Sequence, residues 1–156
     1  MDWIRESNLI EDVDDPKEDA RSLRAWKWFL GQSLFLDTIR EVHKKIMRVR
    51  LKGLHPGTFR VCNVRVGYRV CPPWDHVPGL MSEWILRWGG SAQITHLYSW
   101  ANRTKEAHVE FEKIHPFVDG NGRTGRMIMN WQRVKMGLEP LCIKASERRD
   151  YYRWFE

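Results

Sequence analysis

Twelve residues concentrate the chemistry of this chain: His115-Pro116-Phe117-Val118-Asp119-Gly120-Asn121-Gly122-Arg123-Thr124-Gly125-Arg126, followed by the helical-looking Met127-Ile128-Met129-Asn130-Trp131. The pattern predicts a loop between two helices. Gly120 and Gly122 allow positive φ and close approach of a ligand to the backbone, and the helix that follows directs unpaired N–H groups and its positive dipole end at the same place. Such a start is a seat for phosphate. Arg123 and Arg126 are three apart, on one face of the first turn, so both guanidinium groups are expected to reach one polyphosphate with forked hydrogen bonds. Cations at a helix start, where the dipole opposes them, call for a compensating anion. Asp119 is placed as an oxygen ligand for Mg²⁺, which binds one or two carboxylates plus substrate phosphates. His115, with an intrinsic pKa near working pH, is the candidate general base.

Taken singly, each residue has an ordinary use: the glycines in a tight connection, Asp119 as an N-cap, His115 as a packed imidazole, the arginines as solvated cations. Their combination within one short segment points to a polyphosphate site. Two better-known phosphate motifs are excluded. Gly120-x-Gly122-x-x-Gly125 matches GxGxxG, but that fold needs a preceding strand, and Ala107 to Ile114 is helical in pattern. A Walker A string is absent from the sequence.

The elements that must position this segment are mostly helices. Ile4, Leu9, Ile10 and Val13 mark a short helix within residues 1–17, expected to stop at Pro16. From Ala20 to Leu51 apolar residues recur at helical spacing (Leu23, Trp26, Ile39, Val42, Ile46, Val49), with Gly31-Gln32-Ser33 as the break between two helices. Between Gly53 and Val77 the texture becomes that of one β-hairpin, with β-branched residues from Phe59 to Val66, a turn at Gly67 and a stop at Pro72-Pro73. Helical periodicity returns from Pro78 through Trp88 to Gly89-Gly90, and again through Ile94, Leu97, Ala101, Ala107, Phe111 and Ile114. An isolated hairpin is marginal in water, so the fold class is mainly α, with helices supplying the core.

The chain has 156 residues, 42% hydrophobic and with nine Trp, which fits one globular domain and argues against disorder. No apolar run is long enough to cross a membrane and the N-terminus lacks a signal-peptide pattern, so the expected address is cytoplasmic. Cys62, Cys71 and Cys142 lack zinc-ligand spacing and are read as free thiols without a role. The net charge of +6 suits a polyanion, but Lys and Arg are dispersed, which leaves nucleotide and nucleic acid equally open on charge alone.

His115 to Arg126 resembles the signature HPFx(D/E)GNGRxxR of Fic-domain (Fic/DOC, Fido) proteins at every defining position. Gly57-Thr58-Phe59-Arg60 through Val64-Arg65-Val66-Gly67 to Pro72-Pro73 and Val77-Pro78-Gly79-Leu80-Met81 is similar to that family's flap, and Arg149-Asp150-Tyr151-Tyr152 to its closing helix. The resemblance implies a single Fic domain over residues 1–156, a helical bundle with a hairpin flap at 57–73 beside the active-site motif at 115–126. It implies transfer of AMP from ATP to a Ser, Thr or Tyr hydroxyl of a target protein or of the chain itself. His115 would take the hydroxyl proton, and Asp119 would hold Mg²⁺ at the α- and β-phosphates. The backbone of Gly120, Asn121 and Gly122 and the side chain of Arg123 would neutralise charge on the triphosphate and leaving group, and Arg126 would hold the γ-phosphate. The target would add to the free edge of the flap as an extended segment.

Ser7-Asn8-Leu9-Ile10-Glu11 resembles the inhibitory (S/T)xxxE(G/N) motif that some of these proteins carry before the catalytic core, and departs from it at Asp12. Ser7 and Glu11 are four apart and share a helix face, so Glu11 is placed to pair with Arg126 where the γ-phosphate belongs. Within the same family the alternative chemistries are UMP, phosphate or phosphocholine transfer and removal of AMP. Outside it, the alternative is a non-catalytic module stacking nucleic-acid bases on Trp; helical core spacing of Trp26, Trp84 and Trp88 disfavours that partner. The target and the oligomeric state, a homo-oligomer included, are left open by the sequence.

Overall fold

The computed structural model describes residues 2–47, 55–90 and 97–156, with 97–99 as backbone only. Within them the fold has seven α-helices and a small, largely exposed two-stranded antiparallel sheet: α1 Asp2–Ile10, α2 Pro16–Phe29, α3 Leu36–Ile46, α4 Val77–Trp88, α5 Leu97–Ile114, α6 Asn121–Lys135 and α7 Arg148–Tyr152, with β1 Arg65–Val66 paired to β2 Arg69–Val70. Val49 and Ile94, both expected in helices, lie outside the described residues.

Helix α6 is the axis. It is buried from Asn121 through Gln132, packed against α5, α3 and α1, although its sequence carries Arg, Thr, Asn and Gln at these positions. Such a helix is tolerated because most of its buried polar side chains find partners. Asn130 exchanges hydrogen bonds with the backbone of Leu141, Gln132 donates to Trp88 O, and Trp131 Nε1 donates to Phe29 O. Around it Trp26, Phe29, Ile39, Val42, Met81, Trp84 and Phe111 form the apolar core, so the three tryptophans at helical spacing that are named above are core residues. Among the described residues no helix is long and apolar enough to cross a membrane, and the three cysteines are free.

Two boundaries differ from the sequence expectation. Pro16 does not stop α1. It opens α2, with Asp15 as N-cap accepting from Lys17 N–H, the position where a proline costs no hydrogen bond. Helix α1 ends earlier, because Asp12 adopts φ 56° while Asp12 N–H donates to Leu9 O and Val13 N–H to Asn8 O. These are the two bonds of a left-handed helix C-cap. The hairpin is also shorter than its expected span of 57–73: only two residues per strand pair, and Gly57 to Val64 is irregular. Arg60 explains this. Its buried guanidinium donates to the carbonyls of Cys62, Pro72, Ile114 and His115, drawing both legs of the flap onto the C-terminal end of α5.

Candidate active site

Of the twelve-residue segment, His115 to Gly120 form the loop between α5 and α6, and Asn121 to Arg126 already belong to α6. His115 leaves α5 with φ 51°, and Gly120 enters α6 as N-cap with φ 77°, a left-handed geometry that suits glycine. A Cβ at Gly120 would also run into Met47 Sδ at the end of α3. Asp119 is therefore not the N-cap; its exposed carboxylate accepts from Gly120 N–H at 2.7 Å beside the helix start. Asn121 staples the loop, donating to Phe117 O and accepting from Phe117 N–H. His43 holds it from the other side. Its Nδ1 accepts from Gly57 N–H, so Nε2 carries the proton and donates to Asp119 O at 2.9 Å, while the ring stacks on Phe117.

A cleft of about 660 Å³ opens over this segment, lined by His115, Asp119, Gly120, Asn121, Gly122 and Arg126, by Glu11 from α1, by the flap from Val66 to Arg69, and by Tyr151 and Tyr152. That volume is in the range of sites for small ligands. Tyr68, at the flap turn, is almost wholly exposed.

The structure brings His115, Asp119, Gly120, Asn121, Gly122, Arg126, Ser7 and Glu11 together, and separates Arg123 from them. Arg123 turns away from the cleft: its Nη2 lies 3.0 Å from Met47 Sδ and its Nη1 3.8 Å from Glu18 Oε2, between α6, α2 and α3. The two guanidinium groups thus diverge, Arg126 toward the cleft and Arg123 away from it. Glu18 is 1% exposed, and a buried carboxylate requires a cation nearby. Arg126 takes the other direction. Its Nη2 donates to Glu11 Oε1 at 2.7 Å and to Ser7 O, its Nε to Ser7 Oγ, and its Nη1 to Tyr151 Oη. Burial works against its charge, but Tyr151 and Glu11 beside it keep its pKa raised. The Glu11 carboxylate lies against Gly122, where a Cβ would collide with Oε1.

His115 Nδ1 is buried 3.8 Å from Glu112 Oε2, which leaves Nε2 as the nitrogen for the cleft. Burial, then the positive charge of Arg69, lowers the His115 pKa to about 4, so the imidazole is neutral and able to accept a proton. Burial likewise pushes Glu112 up to about 8, against the pull of Arg126, so this carboxyl is protonated at neutral pH. Arg69 donates to Glu112 O and Lys113 O, a second flap arginine on the last carbonyls of α5. His43, Arg69, His108 and Glu112 belong to no motif of the sequence and join the site only through the fold. One signal was present for His43: it sits in the apolar stripe of α3 with Ile39, Val42 and Ile46.

Fold and site together define a helical domain built around a cleft that runs from a neutral imidazole to a buried arginine. A family model described as the Fic/DOC family matches residues 33–132. Protein adenylyltransferase Fic of Drosophila erecta is 34% identical over 118 residues, covering 76% of this chain and 23% of that protein. The protein of the same name from Nematostella vectensis is 29% identical over 154 residues, covering 97% of this chain and 34% of that protein. Among solved structures, Fic-1 from C. elegans superposes with TM-score 0.77 at 20% identity, covering 97% of this chain and 52% of that one. A Fic domain containing signaling protein from Bacteroides thetaiotaomicron gives TM-score 0.76 at 18% identity, covering 97% and 68%. The chain belongs to the Fic/DOC family. It spans about a quarter to a third of the length of these curated relatives.

Proposed function

We propose that this domain transfers AMP from ATP to a hydroxyl group of a protein, and that Glu11 restrains the reaction. The observation that carries the reading is one cleft joining a neutral His115, the Asp119 carboxylate, the start of α6 and the buried Arg126 guanidinium. The curated relatives named protein adenylyltransferase support the same chemistry.

The triphosphate would lie across the first turn of α6, its γ-phosphate on Arg126 Nη2 in place of Glu11 and its α-phosphate toward His115. The target oxygen would bond to the α-phosphorus as the bond from that phosphorus to the bridging oxygen breaks, pyrophosphate leaves, and the hydroxyl proton passes to His115 Nε2. Among the described residues no group of three or more His, Cys, Asp or Glu is arranged to hold a metal ion. A single exposed carboxylate at the mouth of a phosphate seat fits Mg²⁺ bound jointly with nucleotide, and Asp119 is the residue that would hold it. When bound, Mg²⁺ supplies charge neutralisation on the phosphates. Arg123 contributes from behind, as the partner of Glu18 and Met47 under the helix start. The target would dock along the flap, whose Val61, Tyr68 and Val70 are exposed.

The test is labelling with Mg²⁺ and α-labelled ATP in a cell lysate. Glu11→Gly should label itself or a target more strongly than wild type, and adding His115→Ala should abolish it. Equal labelling with and without His115 refutes the transfer mechanism, and equal labelling by wild type and Glu11→Gly removes the restraint.

A further inference from the structure

Arg126 is 2% exposed and its donors are divided among partners of different kinds. Ser7 and Tyr151, which take Nε and Nη1, are 6% and 3% exposed. Glu11, which shares Nη2 with the Ser7 carbonyl, has a side chain 34% exposed and opens onto the cleft. Exchange of a carboxylate for a phosphate therefore concerns one edge of the guanidinium, while the other is fixed. We propose that Tyr151 and His108 are positioning residues for Arg126: the Tyr151 hydroxyl, held by His108, fixes the guanidinium so that Nη2 alone is offered to the terminal phosphate. This rests on the nucleotide-binding reading of the cleft.

The hydrogen-bond polarity supports the assignment. Arginine only donates, so Tyr151 Oη accepts from Nη1 at 2.9 Å and its own proton is left for His108 Nε2, 2.8 Å away. Burial, then the Arg126 charge, lowers the His108 pKa to about 3 and leaves the ring neutral, with a hydrogen bond to the Gly125 backbone; Nε2 as acceptor for Tyr151 would place the ring proton on Nδ1. The Tyr151 ring packs edge-on against Trp154 and Phe155, with centroids at 5.3 and 5.1 Å, which restrains the direction of its hydroxyl. Gly125, next to Arg126, gives His108 its place: a Cβ there would stand 2.8 Å from His108 Nδ1 and 2.7 Å from Glu112 Oε1. The third glycine of the fortuitous GxGxxG thus admits the imidazole beneath α6.

The experiment uses Glu11→Gly protein with Mg²⁺, and calorimetry with a non-hydrolysable ATP analogue and with AMP. Tyr151→Phe keeps the ring and removes the hydroxyl. It should weaken the ATP analogue about tenfold, the weight of one hydrogen bond to a charged group, and leave AMP within about twofold. KM for ATP should rise while kcat at saturation is kept within a few-fold. His108→Leu should reproduce this loss, and His108→Gln, which retains a neutral acceptor, should largely restore affinity. An equal loss for AMP and the ATP analogue, or no loss for the analogue, overturns the proposal with the nucleotide reading intact. Failure of the Glu11→Gly parent to bind any triphosphate overturns both. Should Tyr151→Phe not fold, the contrast between His108→Leu and His108→Gln decides the matter alone.

Discussion

Replacing Glu11 should lower stability and raise nucleotide affinity at once. The Glu11–Arg126 contact is 2.7 Å, with the arginine side chain 3% exposed and the glutamate 34%. At an effective dielectric of about 20 the bare attraction would be roughly 6 kcal/mol, but desolvation cancels much of it. A hydrogen bond to a charged group contributes about 1.5–3 kcal/mol net, and solvent access at Glu11 favours the lower half of that range, about 2 kcal/mol. Glu11→Gly should therefore reduce the melting temperature by about 4–8 °C for a chain of this size. Glu11→Gln, which keeps an acceptor for Nη2, should lose roughly half as much. A triphosphate entering wild type must displace the carboxylate, so removing a competitor of about 2 kcal/mol raises apparent ATP affinity about 30-fold. The ATP-induced rise in melting temperature grows accordingly. Thermal denaturation of the three proteins, with and without Mg²⁺ and ATP, reads both effects. A melting temperature unchanged by Glu11→Gly without nucleotide, or an ATP-induced shift no larger than in wild type, refutes the assignment of Glu11 as the occupant of the phosphate position.

Stability should peak near pH 6.5. His43, His108 and His115 have pKa values lowered to about 4, 3 and 4 by burial, so the unfolded chain binds more protons below 6.5 and stability is lost as pH falls from there toward 4. Glu112, raised to about 8 by burial, works the other way: its contribution is lost as pH rises toward 8, and Glu112→Gln should flatten that alkaline limb in a melting series. In the Glu11→Gly background, Arg69→Gln removes a cation that lowers the His115 pKa, so the acid limb of kcat/KM should move to higher pH; an unmoved limb excludes Arg69 as a determinant. At Asp12, with φ 56°, alanine should cost about 1 kcal/mol and glycine almost nothing, measured by urea denaturation; equal losses would implicate the Asp12–Arg148 ion pair instead.

The motif, its place between two helices and the pairing of Glu11 with Arg126 were legible because they depend on local spacing. Residues four apart in α1 share a face in any helix, and the glycine run has few other uses. What could not be read depends on neighbours distant in sequence. Arg123 lies among Glu18 and Met47, each more than seventy positions away, whereas Arg126 meets Glu11, so two arginines of one helix turn diverge. Asp12 occupies the left-handed C-cap of α1, a position that favours Gly or Asn, the residues found there in the motif that Ser7 to Glu11 resembles. Periodicity also understates α6: Met127, Ile128, Trp131 and Val134 form one apolar stripe, but Arg, Thr, Asn and Gln on its other faces are buried as well, because the helix lies at the centre of the molecule. The flap was overextended because β-branched residues from 59 to 66 carry no trace of where Arg60 points.

Arg60 and Arg69 bind the carbonyls with which α5 ends, including that of His115 itself, so the hairpin is in effect a continuation of the helix bearing the imidazole. On the proposed reading it would act as a gauge and not a lid: a polypeptide laid along it would meet the imidazole at a set height, and choice among hydroxyls would fall on the reach of each side chain.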